Sequence, residues 1–244
     1  MAALEAIRND LRAVATPGRA KANAWFFKTG EGQYGHGDKF LGITVPEQRK
    51  IARNYYKELS LDAIEQLLLS PWHEERLTAL FMLVLLYQKG DSKVRQSVAS
   101  LYLQHTKDIN NWDLVDSSAA YILGPHLEKN PYKMKILRKF AVSHDLWERR
   151  IAVLTTFYYI RQGRADEALE IIELLKNDKH DLIQKAVGWM LREIGKNVGE
   201  ETLTSFLDTN AHVLPRTCLR YAIERLDPSV RQKYMTQKLR NNAN

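Results

Sequence analysis

Apolar residues recur every three or four positions along most of this chain, and this spacing restricts the possible folds more than any other feature. The pattern is clearest in LDAIEQLLL, ERLTALFMLVLLY, RRIAVLTTFYYI, ALEIIELL, IQKAVGWMLREI and RTCLRYAIERL. Such a period matches one face of an α-helix, and no stretch alternates long enough to suggest a sheet. The spacing therefore predicts an all-α protein.

Tryptophans at the start of three of these helices indicate a repeat. Helices begin at Trp72, Trp112 and Trp147, and comparable ones begin near Ile183 and Pro215. Another amphipathic helix lies between successive members, so each unit is a helix pair with a period near the roughly 40–47 residues of HEAT or armadillo repeats. We expect one domain over residues 1–244, a curved α-solenoid of HEAT-like pairs whose second helices line a concave surface.

Short polar signals place several helix ends. The candidate N-caps are Ser60, Ser70 before Pro71, Asn110 or Asn111, and Asp181, and Thr44 with Glu47 forms a possible capping box. Gly30, Gly90, Gly124 and Gly163 follow apolar runs and fit chain reversals. The segment GEGQYGHGDKF, residues 30–40, lacks the helical pattern. It is either a loop that approaches a ligand or a flexible connector, and the absence of a phosphate-loop signature favours the connector.

Composition excludes several classes of protein. The single cysteine, Cys218, rules out an internal disulfide and a multi-cysteine zinc site, and its apolar surroundings predict that it is buried. The seven histidines are scattered, which argues against a metal site, and the sequence has no dinucleotide-binding fingerprint, so no cofactor is expected. No apolar run approaches the roughly 18 residues that a membrane span needs, and the first residues carry charges throughout, which predicts a cytoplasmic protein without a membrane partner.

The net charge of +7 lies entirely in the second half of the chain. Residues 1–128 hold 15 Lys and Arg and 15 Asp and Glu, whereas residues 129–244 hold 21 and 14. A one-sided basic excess suggests a polyanion such as nucleic acid, although many basic solenoids bind acidic proteins instead.

The stretch NNWDLVDSSA places two aspartates beside a tryptophan at a helix start. Asp113 falls in the first turn, where the helix dipole favours a carboxylate. Asp116 follows Trp112 by four residues, so both side chains share a helical face and form a potential site for a cation. The alternative is a core tryptophan beside an aspartate that pairs with an arginine of the next repeat.

Two later helices combine tryptophans with cations. In IQKAVGWMLREIG, Lys185 and Arg192 share a face with Trp189, and LWERRIAVL carries Arg149 and Arg150 at a helix start. The structural alternative is a surface charge pair with Glu148 and tryptophans that fill the core. Three helices that carry Trp-x-x-x-Asp, Arg-Arg and Trp-x-x-Arg are together a more specific indication of a functional site than any one of them alone.

The segments FLGITVPEQR, NNWDLVDS, LWERRIAVL and IQKAVGWMLREIGK resemble, in this order and spacing, the AlkD-type DNA alkylation-repair family of HEAT-like DNA glycosylases. The resemblance extends from about residue 3 to about residue 228. It implies a monofunctional, metal-independent enzyme that acts on double-stranded DNA and hydrolyses the N-glycosidic bond of N3- and N7-alkylated purines. A monomer is the simplest expectation for DNA repair by a solenoid.

The resemblance also assigns residues. Trp112 and Trp189 match the aromatic residues that line the lesion site, and Asp116 matches the catalytic carboxylate. Arg150 and Arg192 match cations of the family, and together with Arg149 and Lys185, which helical spacing places beside them, they are the expected DNA-binding residues. The glycine-rich segment, Phe26 and Thr44 depart from the family's best-known members. Two alternatives stay open: a non-catalytic DNA-binding relative, and a protein-binding solenoid scaffold.

Overall fold

A computed structural model describes residues 2–241 of the chain, and it is built from helices. The all-α prediction is confirmed, because no β-strand occurs in the described part and the helices pack as successive pairs. The chain divides into two compact units, one up to His126 and the other from Leu127 onward. The single domain over residues 1–244 stays a prediction.

The first unit contains eight helices among the described residues. They are α1 (Ala2–Ala13), α2 (Pro17–Phe26), α3 (Val45–Tyr55), α4 (Leu61–Leu68), α5 (His73–Lys89), α6 (Ser92–Gln104), α7 (Trp112–Asp116) and α8 (Ala119–Leu127). Helix α5 is the centre of this unit, because it packs against α3, α4, α6 and α7. Its first eleven side chains are buried, five of them polar, so this part of the helix has no exposed polar face.

The second unit continues the pattern from α9 onward. Its helices are α9 (Lys133–Ala141), α10 (Leu146–Thr155), α11 (Phe157–Ile160), α12 (Asp166–Leu175), α13 (Asp181–Asn197), α14 (Glu200–Asn210), α15 (Arg216–Ala222) and α16 (Pro228–Asn241). Helix α13 packs against α10, α11, α12, α14 and α15. The cysteine prediction is confirmed, since Cys218 of α15 is fully buried.

The structure confirms several of the predicted helix ends. Thr44 and Glu47 form the complete capping box at the start of α3, and Ser60 caps α4 through a hydrogen bond from the Ala63 amide. Asn111, rather than Asn110, is the N-cap of α7. Gly90 follows α5, and Gly163 lies after α11 with a φ of 78°, a conformation that glycine adopts without strain.

Ser70 was a wrong N-cap prediction, because α5 begins three residues later. The Lys39 amide donates to the Pro71 carbonyl at 3.3 Å and the His73 amide to the Lys39 carbonyl at 2.8 Å. These bonds hold residues 71 and 72 extended against the glycine-rich segment, so Trp72 becomes the N-cap.

Two further helix-end predictions were wrong. Asp181 is the first residue of α13, and the preceding His180 caps it by accepting a hydrogen bond from the Leu182 amide. Gly124 lies inside α8 rather than after a helix, and the helix continues through Pro125. Separately, none of the helices between residues 2 and 241 combines the length and the apolar character that crossing a membrane requires.

Candidate functional site

Helix α7 is only five residues long and carries two of the expected site residues, Trp112 and Asp116. The Asn111 side chain accepts a hydrogen bond from the Trp112 amide at 2.9 Å, and Asp113 Oδ1 accepts one from the Leu114 amide at 2.9 Å. Trp112 opens the helix and Asp116 closes it. Leu114 and Val115 between them are buried, while Trp112 and Asp116 are both partly exposed.

Trp112 belongs to an aromatic cluster of the first unit. Its ring stacks on Phe27 at a centroid distance of 5.3 Å and an interplanar angle of 16°. Phe26 approaches the same ring edge-on at 6.0 Å and is 55% exposed. Trp112 is therefore fixed on one side by a stacked ring, an arrangement that limits its freedom before any ligand arrives.

Asp116 lies near a buried hydrogen-bonded tyrosine. Burial raises the pKa of Tyr102, and the negative charge of Asp116 raises it further. The Tyr102 hydroxyl is 3.0 Å from Ser118 Oγ, which in turn donates to the Leu114 carbonyl at 2.6 Å. These contacts fix the end of α7 on which the Asp116 carboxylate stands.

The sequence did not reveal a buried histidine that joins α7 to α5. His73 Nε2 lies 2.8 Å from Asp113 Oδ2 and His73 Nδ1 lies 3.2 Å from Asp38 Oδ2, with only 2% of the His73 side chain exposed. Burial alone would lower the pKa of His73, but the Asp113 and Asp38 carboxylates outweigh it and raise the pKa to about 9. The ring is therefore protonated at neutral pH and donates to both carboxylates.

Asp38 is the residue by which the glycine-rich segment takes part in this network. Its carboxylate also accepts from Arg76 Nη2 at 2.6 Å and from Asn111 Nδ2 at 3.1 Å. Although burial would raise the pKa of Asp38, the bond to His73 and the charge of Arg76 lower it. Asp38 thereby links the segment to the start of α5 and to the cap of α7.

The flexible-connector interpretation of residues 30–40 disagrees with these contacts. Besides Asp38, the segment packs closely at Gly35, where a Cβ would lie 2.3 Å from the Phe27 carbonyl oxygen. The Glu74 carboxylate accepts from the amides of Leu41, Gly42 and Ile43 at 2.8, 2.8 and 3.3 Å and so anchors the chain just beyond it. Glycine is needed where backbone approaches backbone, rather than for looseness.

The aromatic cluster continues from Trp112 to His73. Phe27 lies 4.9 Å from the His73 ring, and Phe40 stacks on that ring at 4.6 Å. The charged imidazole thus lies beneath rings that support Trp112. The sequence offered one signal for this arrangement: four polar residues, His73 to Arg76, open a helix in which Thr78 is the only polar residue of the next ten positions.

In the second unit, α10 carries the two expected arginines. Arg149 Nε donates to Asp178 Oδ2 at 2.8 Å, and its Nη1 donates to the Ser143 and His144 carbonyls at 3.0 Å. Arg150 is 5% exposed and donates to the Leu182 carbonyl at 2.5 Å. Glu148 accepts a hydrogen bond from Ser143 Oγ at 2.6 Å.

Helix α13 holds Lys185, Trp189 and Arg192. The Trp189 indole Nε1 donates to Glu193 Oε1 at 3.2 Å, and its ring lies 5.7 Å from Phe157. Lys185 pairs with Asp181 at 2.7 Å, and Arg192 pairs with Glu224. The helix therefore brings one partly exposed tryptophan together with two cations that already have carboxylate partners.

No group of three His, Cys, Asp or Glu side chains within residues 2–241 has an arrangement that could hold a metal ion. In the first unit the structure brings together Trp112, Asp116 and the His73 network, and in the second it brings together α10 and α13. The cluster in the first unit offers an aromatic face beside a carboxylate, a combination that suits a cationic ligand.

Comparison with known proteins extends these findings. The family described as DNA alkylation repair enzyme matches residues 7–226. A solved structure from Enterococcus faecalis, a predicted DNA alkylation repair enzyme, is 19% identical, covers 88% of this chain and 97% of its own, and gives a TM-score of 0.67. No curated protein matches. The family prediction is confirmed, and this chain belongs to the DNA alkylation repair enzyme family.

Proposed function

We propose that the protein is a monofunctional DNA glycosylase, which hydrolyses the bond between C1′ and N9 of N3- and N7-alkylated purines in duplex DNA. One observation carries this proposal: α7 presents a tryptophan, stacked on Phe27, four residues before a partly exposed carboxylate, Asp116. Membership of a DNA alkylation repair family supplies the biological setting. We further propose that the protein works as a cytoplasmic monomer without a cofactor.

The proposed reaction needs a negatively charged carboxylate rather than a general acid that protonates the leaving base. An N3- or N7-alkylated purine already carries a positive charge, so it leaves without being protonated. When the bond breaks, its electron pair passes to N9 and neutralises the base, while positive charge develops at C1′. The Asp116 carboxylate stabilises that charge and orients a water, whose oxygen bonds to C1′ as a proton is released.

The two tryptophans serve recognition in this proposal. An aromatic face attracts a cationic group by roughly 0.5–2 kcal/mol, depending on how much water is excluded. Trp112 is well suited to this task because Phe27 holds its ring in one orientation. Trp189 is similarly tied by the hydrogen bond from its indole nitrogen to Glu193. Rings that are ordered in advance lose little entropy on binding.

The cations of the second unit are proposed to contact DNA phosphates. Arg149, Lys185 and Arg192 pair with Asp178, Asp181 and Glu224. A phosphate would share or replace these carboxylates, whereas Arg150 is only 5% exposed and donates to the Leu182 carbonyl, so its charge would act on the duplex from beneath the surface. Phosphate contacts of this kind set the position of the duplex without reading its sequence.

The direct test is to incubate the protein with duplex DNA that contains 3-methyladenine and 7-methylguanine, and to separate free bases by chromatography. We expect both free bases and abasic sites in the DNA. Salt-sensitive DNA binding without base release would instead indicate a non-catalytic relative. Absence of salt-sensitive DNA binding would favour a protein-binding scaffold.

A further inference from the structure

A pocket in the first unit lies directly beyond the end of α7 and takes no part in the site described above. Its volume is about 200 Å³, and its polar lining comprises Arg49, Arg53, Gln88, Ser117 and Tyr121, with Phe81 on its apolar side. Ser117 is the C-cap of α7 and follows Asp116 in the chain. Anything bound here would therefore lie close to the proposed catalytic carboxylate.

Two arginines face this pocket without a counter-ion. Arg49 and Arg53 are four residues apart on α3, a spacing that places like charges on one face of a helix at some cost in stability. Within the described part of the chain, neither guanidinium has a carboxylate within the 4.0 Å of an ion pair. Other basic residues on this protein, such as Arg76 with Asp38, do have such partners.

We call this cavity, lined by Arg49 and Arg53, the arginine pocket, and one of its two guanidinium groups is already held in place before any ligand binds. The Arg49 guanidinium carbon lies 4.0 Å from the centroid of the Phe81 ring, and Phe81 is itself buried. Stacking of this kind holds the planar group and leaves its N–H donors free for an oxyanion. Hydroxyl groups of Ser117 and Tyr121, together with the Gln88 amide, add neutral donors, and the lining contains no acidic residue.

We propose that the arginine pocket binds a phosphate oxyanion, carried by one phosphodiester group of the DNA strand. The choice of DNA as the source of this phosphate rests on the proposed function, because DNA is the polyanion that a repair enzyme must bind. A phosphodiester fixed beside Ser117 would set the register of the strand relative to Asp116. Bidentate guanidinium contacts suit this purpose because they fix direction as well as distance.

The test measures binding of an undamaged 20-base-pair duplex over a range of salt concentrations for the wild type, Arg49→Gln, Arg53→Gln and the double variant. Each phosphate contact contributes about 0.9 to the slope of log K against log salt concentration. Because both arginines share one phosphate in our proposal, the double variant should lower the slope by about 1, and each single variant by no more than that because one arginine remains on the phosphate. The matched control is Lys50→Gln, an exposed cation of the same helix outside the pocket, which should leave the slope unchanged.

An unchanged slope in the double variant, or an equal loss in Lys50→Gln, would overturn the proposal. Arg53 is exposed, so a loss of affinity in Arg53→Gln reports on the pocket even if Arg49→Gln disturbs packing on Phe81. A second arm compares inorganic phosphate with chloride at equal ionic strength. Saturable phosphate binding that the double variant loses, with an unchanged DNA slope, would assign the pocket to free phosphate and refute the DNA assignment. Base release from methylated DNA is measured in a separate assay. A protein that releases no base but shows the expected change in salt dependence would refute the glycosylase proposal and leave the phosphate-binding proposal intact.

Discussion

His73 Nε2 and Asp113 Oδ2 are 2.8 Å apart, although forty residues separate them in the chain. The contact ties the first turn of α7 to the start of α5, and it gives Asp113 two functions. One of its oxygens accepts from the Leu114 amide at the helix start, as the sequence indicated, and the other holds a buried imidazolium. Trp112 and Asp116 depend on this anchor because both stand on the same short helix.

Replacing His73 by glutamine should remove a pH-dependent part of the stability. The pKa of His73 rises from 6.5 to about 9 on folding, which corresponds to at most about 3 kcal/mol. Because the folded pKa is the higher one, this contribution is complete below pH 6.5 and disappears as the pH rises through 9. Urea unfolding at pH 6, 7.5 and 9 should show a difference between wild type and His73→Gln that shrinks with pH.

The matched control for this prediction is His36→Gln. His36 is exposed on the glycine-rich segment, so its replacement removes an imidazole without touching the contacts of His73. A constant difference between wild type and His73→Gln over this pH range would show that the histidine is buried without its charge.

Much of the fold could be predicted from the sequence. Helical periodicity, Thr44 with Glu47, and Ser60 all gave correct elements or ends, because these signals act within one or two helical turns. The prediction for Ser70 failed for a non-local reason: hydrogen bonds from Lys39 hold residues 71 and 72 extended. A cap motif alone carries no information about a segment that pairs with it from thirty residues away.

The candidate site also combines features that local spacing predicts with contacts between distant parts of the chain that it does not predict. The shared helix of Trp112 and Asp116 followed from spacing, whereas the role of His73 and Asp38 did not. Their contacts join residues 35 to 73 positions apart in the chain, and no local pattern pairs a particular histidine with a particular aspartate. The carboxylate partners of Arg149 and Arg192 were missed for this reason too.

Trp112 should contribute most to the recognition of positively charged lesions. In an Asp116→Asn background, where the base is retained, Trp112→Leu should weaken the preference for duplex containing 7-methylguanine over undamaged duplex by about 2- to 30-fold, equivalent to roughly 0.5–2 kcal/mol. Trp112→Phe keeps an aromatic face and should lose less. Competition binding with the two duplexes measures the preference, and an equal preference in all three proteins would exclude a cation–π contact.

Removing one of the carboxylate partners of Arg192 should strengthen DNA binding. Glu224 is 56% exposed and pairs with Arg192 Nη1, so Glu224→Gln would release this end of the guanidinium for a phosphate, while Glu193 stays 3.8 Å from Nε. We expect tighter binding to undamaged duplex and a salt dependence steeper by about 1 in slope. Glu170→Gln is the control, because it removes the same charge from the exposed pair with Arg138, also in the second unit. Equal effects of the two substitutions would indicate net charge alone.

The carboxylate of Asp116 is the centre of the proposed mechanism, and its removal tests the account most directly. Asp116→Asn keeps the size of the side chain and removes the negative charge that stabilises the developing cation at C1′. Single-turnover release of 7-methylguanine from methylated duplex, followed by chromatography, should slow by about 100-fold or more while affinity for undamaged duplex stays the same. Release at the wild-type rate by the Asp116→Asn protein would contradict the mechanism.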